Sequence, residues 1–264
     1  MRITLTVSAK LPGFPLARPE VLNTENTLVA HSELQSVLSQ LHRLANPAVV
    51  KGAERFGIKG VKMLGIPAPQ IRTLAKSIGT NQRLSLALWP TGYLEARALA
   101  ALIGDPALVT KGQMERWVND FDNWGVCDAC CGELFIYAPD AAEKAFRWTS
   151  QRKEFVKRAG FVMMAAMAVH LKHLGDEEFI PMLQAIRREA TDERNFVRKA
   201  VNWALRQIGK RNSNLNTLAI ETAKQVGAID SRSARWIASD ALRELQSSAV
   251  RRRLQSRGKK TRIR

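Results

Sequence analysis

The chain has 264 residues, 45% hydrophobic and 25% charged, which suits one large folded domain or two small ones and excludes a collagen-like or mostly disordered polymer. Lys and Arg number 41 against 24 Asp and Glu, a net charge of +17 that favours a polyanionic partner, nucleic acid ahead of a membrane surface. Residues 251–264 hold eight basic side chains and no acid, so +9 still belongs to the other 250 residues and the excess is not only a tail.

The N-terminal stretch reads as an irregular arm, residues 1–30. Pro12, Pro15 and Pro19 break any helix there, and the apolar run 3–9 is too short and too soon interrupted for a signal peptide. From Ser32 onward apolar residues recur at three and four spacing, and no stretch alternates with period two for long. Helices are expected over 33–44, 47–57, 67–78, 81–89, 92–103, 107–120, 123–137, 139–149, 152–173, 176–190, 193–210, 213–226 and 230–247. Pro or Gly marks many of the junctions. The uncharged apolar run 159–169 has 11 residues, short of the roughly 20 that a membrane span needs, and reads as a buried helix. Residues 248–264 read as a basic, disordered tail.

A weak repeat runs through the second half. Phe155-Val156-Lys157-Arg158-Ala159 returns as Phe196-Val197-Arg198-Lys199-Ala200, and Ala204-Leu205-Arg206 returns as Ala241-Leu242-Arg243. Helix pairs repeating at about 40 residues suggest an all-α, HEAT-like α-solenoid over residues 31–247, with stacked antiparallel pairs and a concave basic surface.

Within the expected helix 193–210, Val197, Ala200, Val201, Ala204, Leu205 and Ile208 form the core stripe. Trp203 lies off that stripe among Lys199, Arg206 and Lys210. An aromatic amid cations suits a sugar or base held by its phosphates, and packing against the next repeat is the alternative. In the helix 123–137, Trp124 and Asp128 share one ridge, beside the small Gly125, Ala129 and Gly132. Val126, Cys127, Cys130, Leu134 and Tyr137 form the expected core side. An acid on a basic protein's ligand face would stabilise positive charge or position a water; a surface ion pair is the alternative. Arg158 stands at the edge of an apolar helix, either paired with Glu154 one turn earlier or aiming its guanidinium fork at a phosphate.

Cys127, Cys130 and Cys131 fall within five residues, unlike the spread cysteines of a secreted scaffold, which points to a reduced, cytoplasmic setting. Cys127 and Cys130 with His170 and His173 would make four zinc ligands, but the cysteines fall on one apolar helix face and the gap is outside finger spacing, so no metal is expected. There is no Gly-rich phosphate loop and no hydrolase or metalloprotease motif, and no cofactor is called for.

The residues quoted so far, with Leu64-Gly65-Ile66-Pro67, Arg72, Leu88-Trp89, Asn123-Trp124-Gly125-Val126-Cys127-Asp128 and Ala200-Val201-Asn202-Trp203-Ala204-Leu205-Arg206, resemble the AlkD-like DNA alkylation repair family, glycosylases built of HEAT-like repeats. The similarity runs from about Glu33 to Leu245. The resemblance implies that Asp128 is the catalytic carboxylate, that Arg158 holds the DNA backbone near the lesion, and that Trp124 and Trp203 contact the damaged nucleotide's sugar and phosphate. Phe56 falls where the family has a tyrosine, keeping the ring without the hydroxyl. Lys199 and Arg206 complete the expected DNA contacts. The implied activity is hydrolytic release of cationic N3- or N7-alkylated purines from double-stranded DNA, without a base-flipping pocket; nothing in the sequence calls for an oligomer, and a monomer is expected. A non-catalytic nucleic-acid-binding solenoid and a protein-binding scaffold with a basic tail are the rival readings.

Overall fold

Helix starts in this protein are written in local side-chain chemistry. Asn46, Asn81, Thr110, Asn123, Asn212 and Ser231 each accept a backbone N–H from two or three residues ahead, satisfying donors that a helix N-terminus leaves open. The structure, a computed structural model, describes residues 24–261, with side chains over 31–256. It contains fourteen α-helices and no strand among those residues. In chain order they are α1 Thr24–Arg43, α2 Pro47–Ala53, α3 Ala68–Ile78, α4 Gln82–Leu88, α5 Leu94–Ile103, α6 Lys111–Asn119 and α7 Trp124–Glu133. They continue as α8 Ala141–Thr149, α9 Glu154–His170, α10 Ile180–Glu189, α11 Asn195–Gly209, α12 Ser213–Gly227, α13 Arg232–Leu245 and α14 Ser248–Thr261.

The stacking is that of a HEAT-like solenoid. α5, α7, α9, α11 and α13 pack each on the next and form one layer, while α8, α10 and α12 form the other, each against its hairpin partner. α9 is the centre of the core. Twelve of its seventeen residues are buried, from Val156 to Ala168, which explains its almost wholly apolar sequence. Gly160 permits the close approach of α8: a Cβ there would sit 2.7 Å from the Ala145 carbonyl oxygen and 2.8 Å from the Thr149 nitrogen. Trp89 and Trp117 stack at 3.8 Å, and the Trp89 indole donates to Asp120 at 2.8 Å, so the Leu88-Trp89 motif serves packing. Among the described residues no helix is long and apolar enough to cross a membrane.

Four expectations need correction. The expected helix 47–57 ends at Ala53 and passes into a 3-10 turn, Glu54–Phe56, before Gly57 takes φ +80°. The expected helix 123–137 ends at Glu133: Leu134 leaves helical geometry and Phe135–Tyr137 form a 3-10 turn. That break swings Tyr137 out to 47% exposure, away from the core side it was assigned. α1 begins at Thr24, inside the arm expected to be irregular; Pro12, Pro15 and Pro19 lie outside the described residues. The basic tail also departs from expectation, because 248–261 is helical. Val250 and Leu254, one turn apart, are buried as α14 docks on α12 and α13.

Candidate nucleic-acid interface

Asp128 and Arg158 come together across thirty residues of sequence. Asp128 is the fifth residue of α7 and Arg158 the fifth of α9, so the packing of these helices brings the two positions face to face. The guanidinium grips the carboxylate with both ends, Nε donating to Oδ1 at 2.9 Å and Nη2 to Oδ2 at 2.8 Å. Its third nitrogen, Nη1, donates to the Phe196 carbonyl oxygen at 2.7 Å. Arg158 is therefore locked and only 6% exposed, whereas the Asp128 side chain keeps 24% of its surface open. Burial pushes the Asp128 carboxyl above the ordinary aspartate value, while the charge and hydrogen bonds of Arg158 pull it back down. The partner expected from helical spacing, Glu154, instead accepts from the Phe196 backbone N–H at 3.4 Å.

The site is closed on its other side by the 54–57 turn. Asn123 caps α7, placing Trp124 as its first residue, and the Trp124 indole donates to the Phe56 carbonyl oxygen at 2.9 Å. The Phe56 ring itself is 71% exposed. Gly57 is required by its left-handed φ and by the Phe196 ring, whose Cζ would stand 2.8 Å from an added Cβ. Between these elements lies an open cleft of about 540 Å³, bordered by Trp124, Arg158, Phe56 and Phe196 and edged with the cations Arg55, Lys59 and Lys199. Lys199, the fifth residue of α11, is exposed. A smaller cavity of about 270 Å³ opens on the far side of Trp124, over the small Ala98, Gly125 and Ala129.

A family model described as "DNA alkylation repair enzyme" matches residues 37–245, and this span contains every candidate residue. The chain belongs to the DNA alkylation repair enzyme family. A relative in Listeria innocua serovar 6a, the uncharacterized protein Lin0241, is 23% identical over 195 residues, covering 72% of this chain and 85% of its own. A solved structure described as "a new family of proteins related to the HEAT-like repeat DNA glycosylases with affinity for branched DNA structures" matches with a TM-score of 0.67 and 19% identity. It covers 80% of this chain and 95% of its own, and shares the HEAT-like fold.

In this member of the DNA alkylation repair enzyme family, the cleft gathers Phe56, Trp124, Arg158 and Lys199, with Asp128 tied in through Arg158. Trp203 and Arg206 do not border it. Trp203 is half-buried and packed against the core, which is the packing alternative. Arg206 turns to α13, where it pairs with Glu244 and stands 3.6 Å from Asp240. Cys127, Cys130 and Cys131 are fully buried in the core, where desolvation pushes their thiols up, while His170 and His173 are exposed.

Sequence reasoning missed two supporting groups. Phe196 supplies the carbonyl that holds Arg158 and the ring that meets Gly57; its match to Phe155 in the repeat was the only local signal. Glu95 is 1% exposed and accepts from the backbone N–H groups of Leu64, Gly65 and Ile66 at 2.9, 2.6 and 3.2 Å. It anchors the Leu64-Gly65-Ile66-Pro67 motif, so that motif is the receptor for a buried carboxylate. No spacing rule links residues about thirty apart.

Proposed function

We propose that this protein is a monofunctional DNA glycosylase that releases cationic N3- or N7-alkylated purines from duplex DNA. The observation that carries this reading is the Asp128 carboxylate, a quarter of its side chain open, fixed by Arg158 at the edge of a cleft that Trp124 and the exposed Phe56 border. An alkylated purine already bears positive charge and leaves readily. As the glycosidic bond lengthens, positive charge moves onto the deoxyribose. A carboxylate and aromatic faces stabilise such a cation more in the transition state than in the ground state. Arg158 orients Asp128, whose open edge faces the sugar or the attacking water. Arg55, Lys59 and Lys199 hold the flanking phosphates. The cleft is open, so the nucleotide is met from its backbone and the base needs no enclosing pocket. No lysine acts as a nucleophile, so borohydride traps no covalent adduct.

The test is release of 3-methyladenine and 7-methylguanine from methylated duplex DNA, wild type beside Asp128→Asn. Excision by wild type, reduced at least about a hundredfold in the variant, is the expected result. Equal excision by both proteins sinks the assignment of Asp128. A second reading, recognition of branched DNA without excision, draws support from the described affinity of the HEAT-like structural neighbour. It predicts no release by either protein, with tighter binding to a junction than to a plain duplex.

A further inference from the structure

The fifth-residue positions of the layer continue past the cleft. Asp128, Arg158 and Lys199 are the fifth residues of α7, α9 and α11, and Trp236 is the fifth residue of α13, the next helix in the same layer. Trp236 does not border the cleft and is 38% exposed, large for an indole on a well-packed helix. The guanidinium of Arg198, the neighbour of Lys199, lies over its ring at 4.9 Å from the centroid. Arg198 has a buried Nε without a hydrogen-bond partner, and its guanidinium forms no ion pair among the described residues. The acid nearest by sequence, Glu193, is occupied at the start of α13, accepting from the Ser231 hydroxyl at 3.2 Å and the Ser233 N–H at 3.0 Å. Asp230 is occupied by Arg235 at 2.7 Å.

A guanidinium stacked on an indole keeps its in-plane N–H donors for an acceptor. Among the described residues none takes them up, although Glu193 lies near enough for the charge of Arg198 to help lower its carboxyl. The half-buried guanidinium can turn its terminal N–H groups to a phosphate, which matches it in charge, and the neighbouring indole offers an apolar face to the attached deoxyribose. We propose that Arg198 and Trp236 form a second DNA-backbone contact, one repeat beyond the cleft, gripping an undamaged stretch of strand. The proposal rests on the reading that the cleft takes DNA, but its test does not depend on excision.

The experiment measures affinity of the full chain for a labelled, unmodified duplex across a salt series, with Arg198→Gln, Trp236→Leu and Trp236→Phe. Losing the phosphate contact in Arg198→Gln should lower the slope of log K against log salt by about 0.9. Trp236→Leu should weaken binding about fivefold, with Trp236→Phe in between. Thermal melting checks that each variant is folded; should Trp236→Leu fail to fold, Arg198→Gln carries the test. If Arg198→Gln keeps the wild-type slope and affinity while Lys199→Gln weakens binding, the second contact is wrong and the cleft reading stands. If wild type binds duplex but releases no alkylpurine, excision is wrong and the slope still decides this contact. A wild type without duplex affinity overturns both.

Discussion

Arg158 and Lys199 occupy the same place in successive helices and border the same cleft, yet they are opposites. Arg158 is 6% exposed, its guanidinium closed on the Asp128 carboxylate and the Phe196 carbonyl. Lys199 is exposed and forms no ion pair among the described residues. One repeat position thus holds first a clamp inside the protein and then an exposed charge at the cleft. The chemistry of each side chain suits its place. A planar guanidinium can satisfy a carboxylate and a carbonyl at once in a desolvated seat, whereas a flexible ammonium keeps its hydration and meets a phosphate as a point charge. The expected phosphate-binding fork of Arg158 is therefore spent on orienting Asp128, and the cations left exposed at the cleft are those on its rim.

Removing the clamp should have the largest effect on the protein itself. Arg158→Ala strands the Asp128 carboxylate and the Phe196 carbonyl in a mostly desolvated seat, and should lower stability by about 3 kcal/mol in urea denaturation. Lys199→Ala should stay within about 0.5 kcal/mol of wild type. Equal losses would erase the distinction between clamp and free cation. The pH dependence of excision sharpens it next. In the proposed mechanism Asp128 acts as the carboxylate, and burial holds its carboxyl above the ordinary aspartate value, so excision should fall on acidification while the pH is still above that value. Asp128→Glu, if active, should move this acid limb; a limb unmoved by that change would assign the titration elsewhere. The smallest effect belongs to the free cation: Lys199→Gln should reduce the salt slope of duplex binding by about 0.9, with little change in melting temperature. A slope equal to wild type would place Lys199 outside the DNA contact.

Much of the architecture was legible along the chain because its causes are local. The three-and-four spacing of apolar residues announced the helices, and Asn, Ser and Thr caps set many of their starts. The match of Phe155 to Phe196 carried the repeat that stacks α9 on α11. Placing Asp128 and Trp124 on one ridge followed from helical spacing alone. The same rule misled where a partner lay in another helix. It offered Glu154 to Arg158, since residues four apart are neighbours on an isolated helix, but packing brings Asp128 closer and Glu154 turns to the start of α11. It set Trp203 and Arg206 among the ligand contacts; in the fold neither borders the cleft, Arg206 pairing with Glu244 of α13 and Trp203 packing in part against the core.

The tail shows the same limit from the other direction. Six cations and no acid over 248–261 read as a segment that repels itself, and the helix exists because α12 and α13 provide a seat for Val250 and Leu254. By itself, the sequence determined the helices and which side chains share a helix face, because these depend on residues within a turn or two of one another, and it carried the repeat and the basic surplus, which are read by comparing and counting residues without any contact between them. Only the tertiary structure decided which cations are spent and which are free. An ion pair such as Asp128–Arg158 depends on distance and desolvation across helices thirty residues apart, and neither quantity exists until the layers are packed.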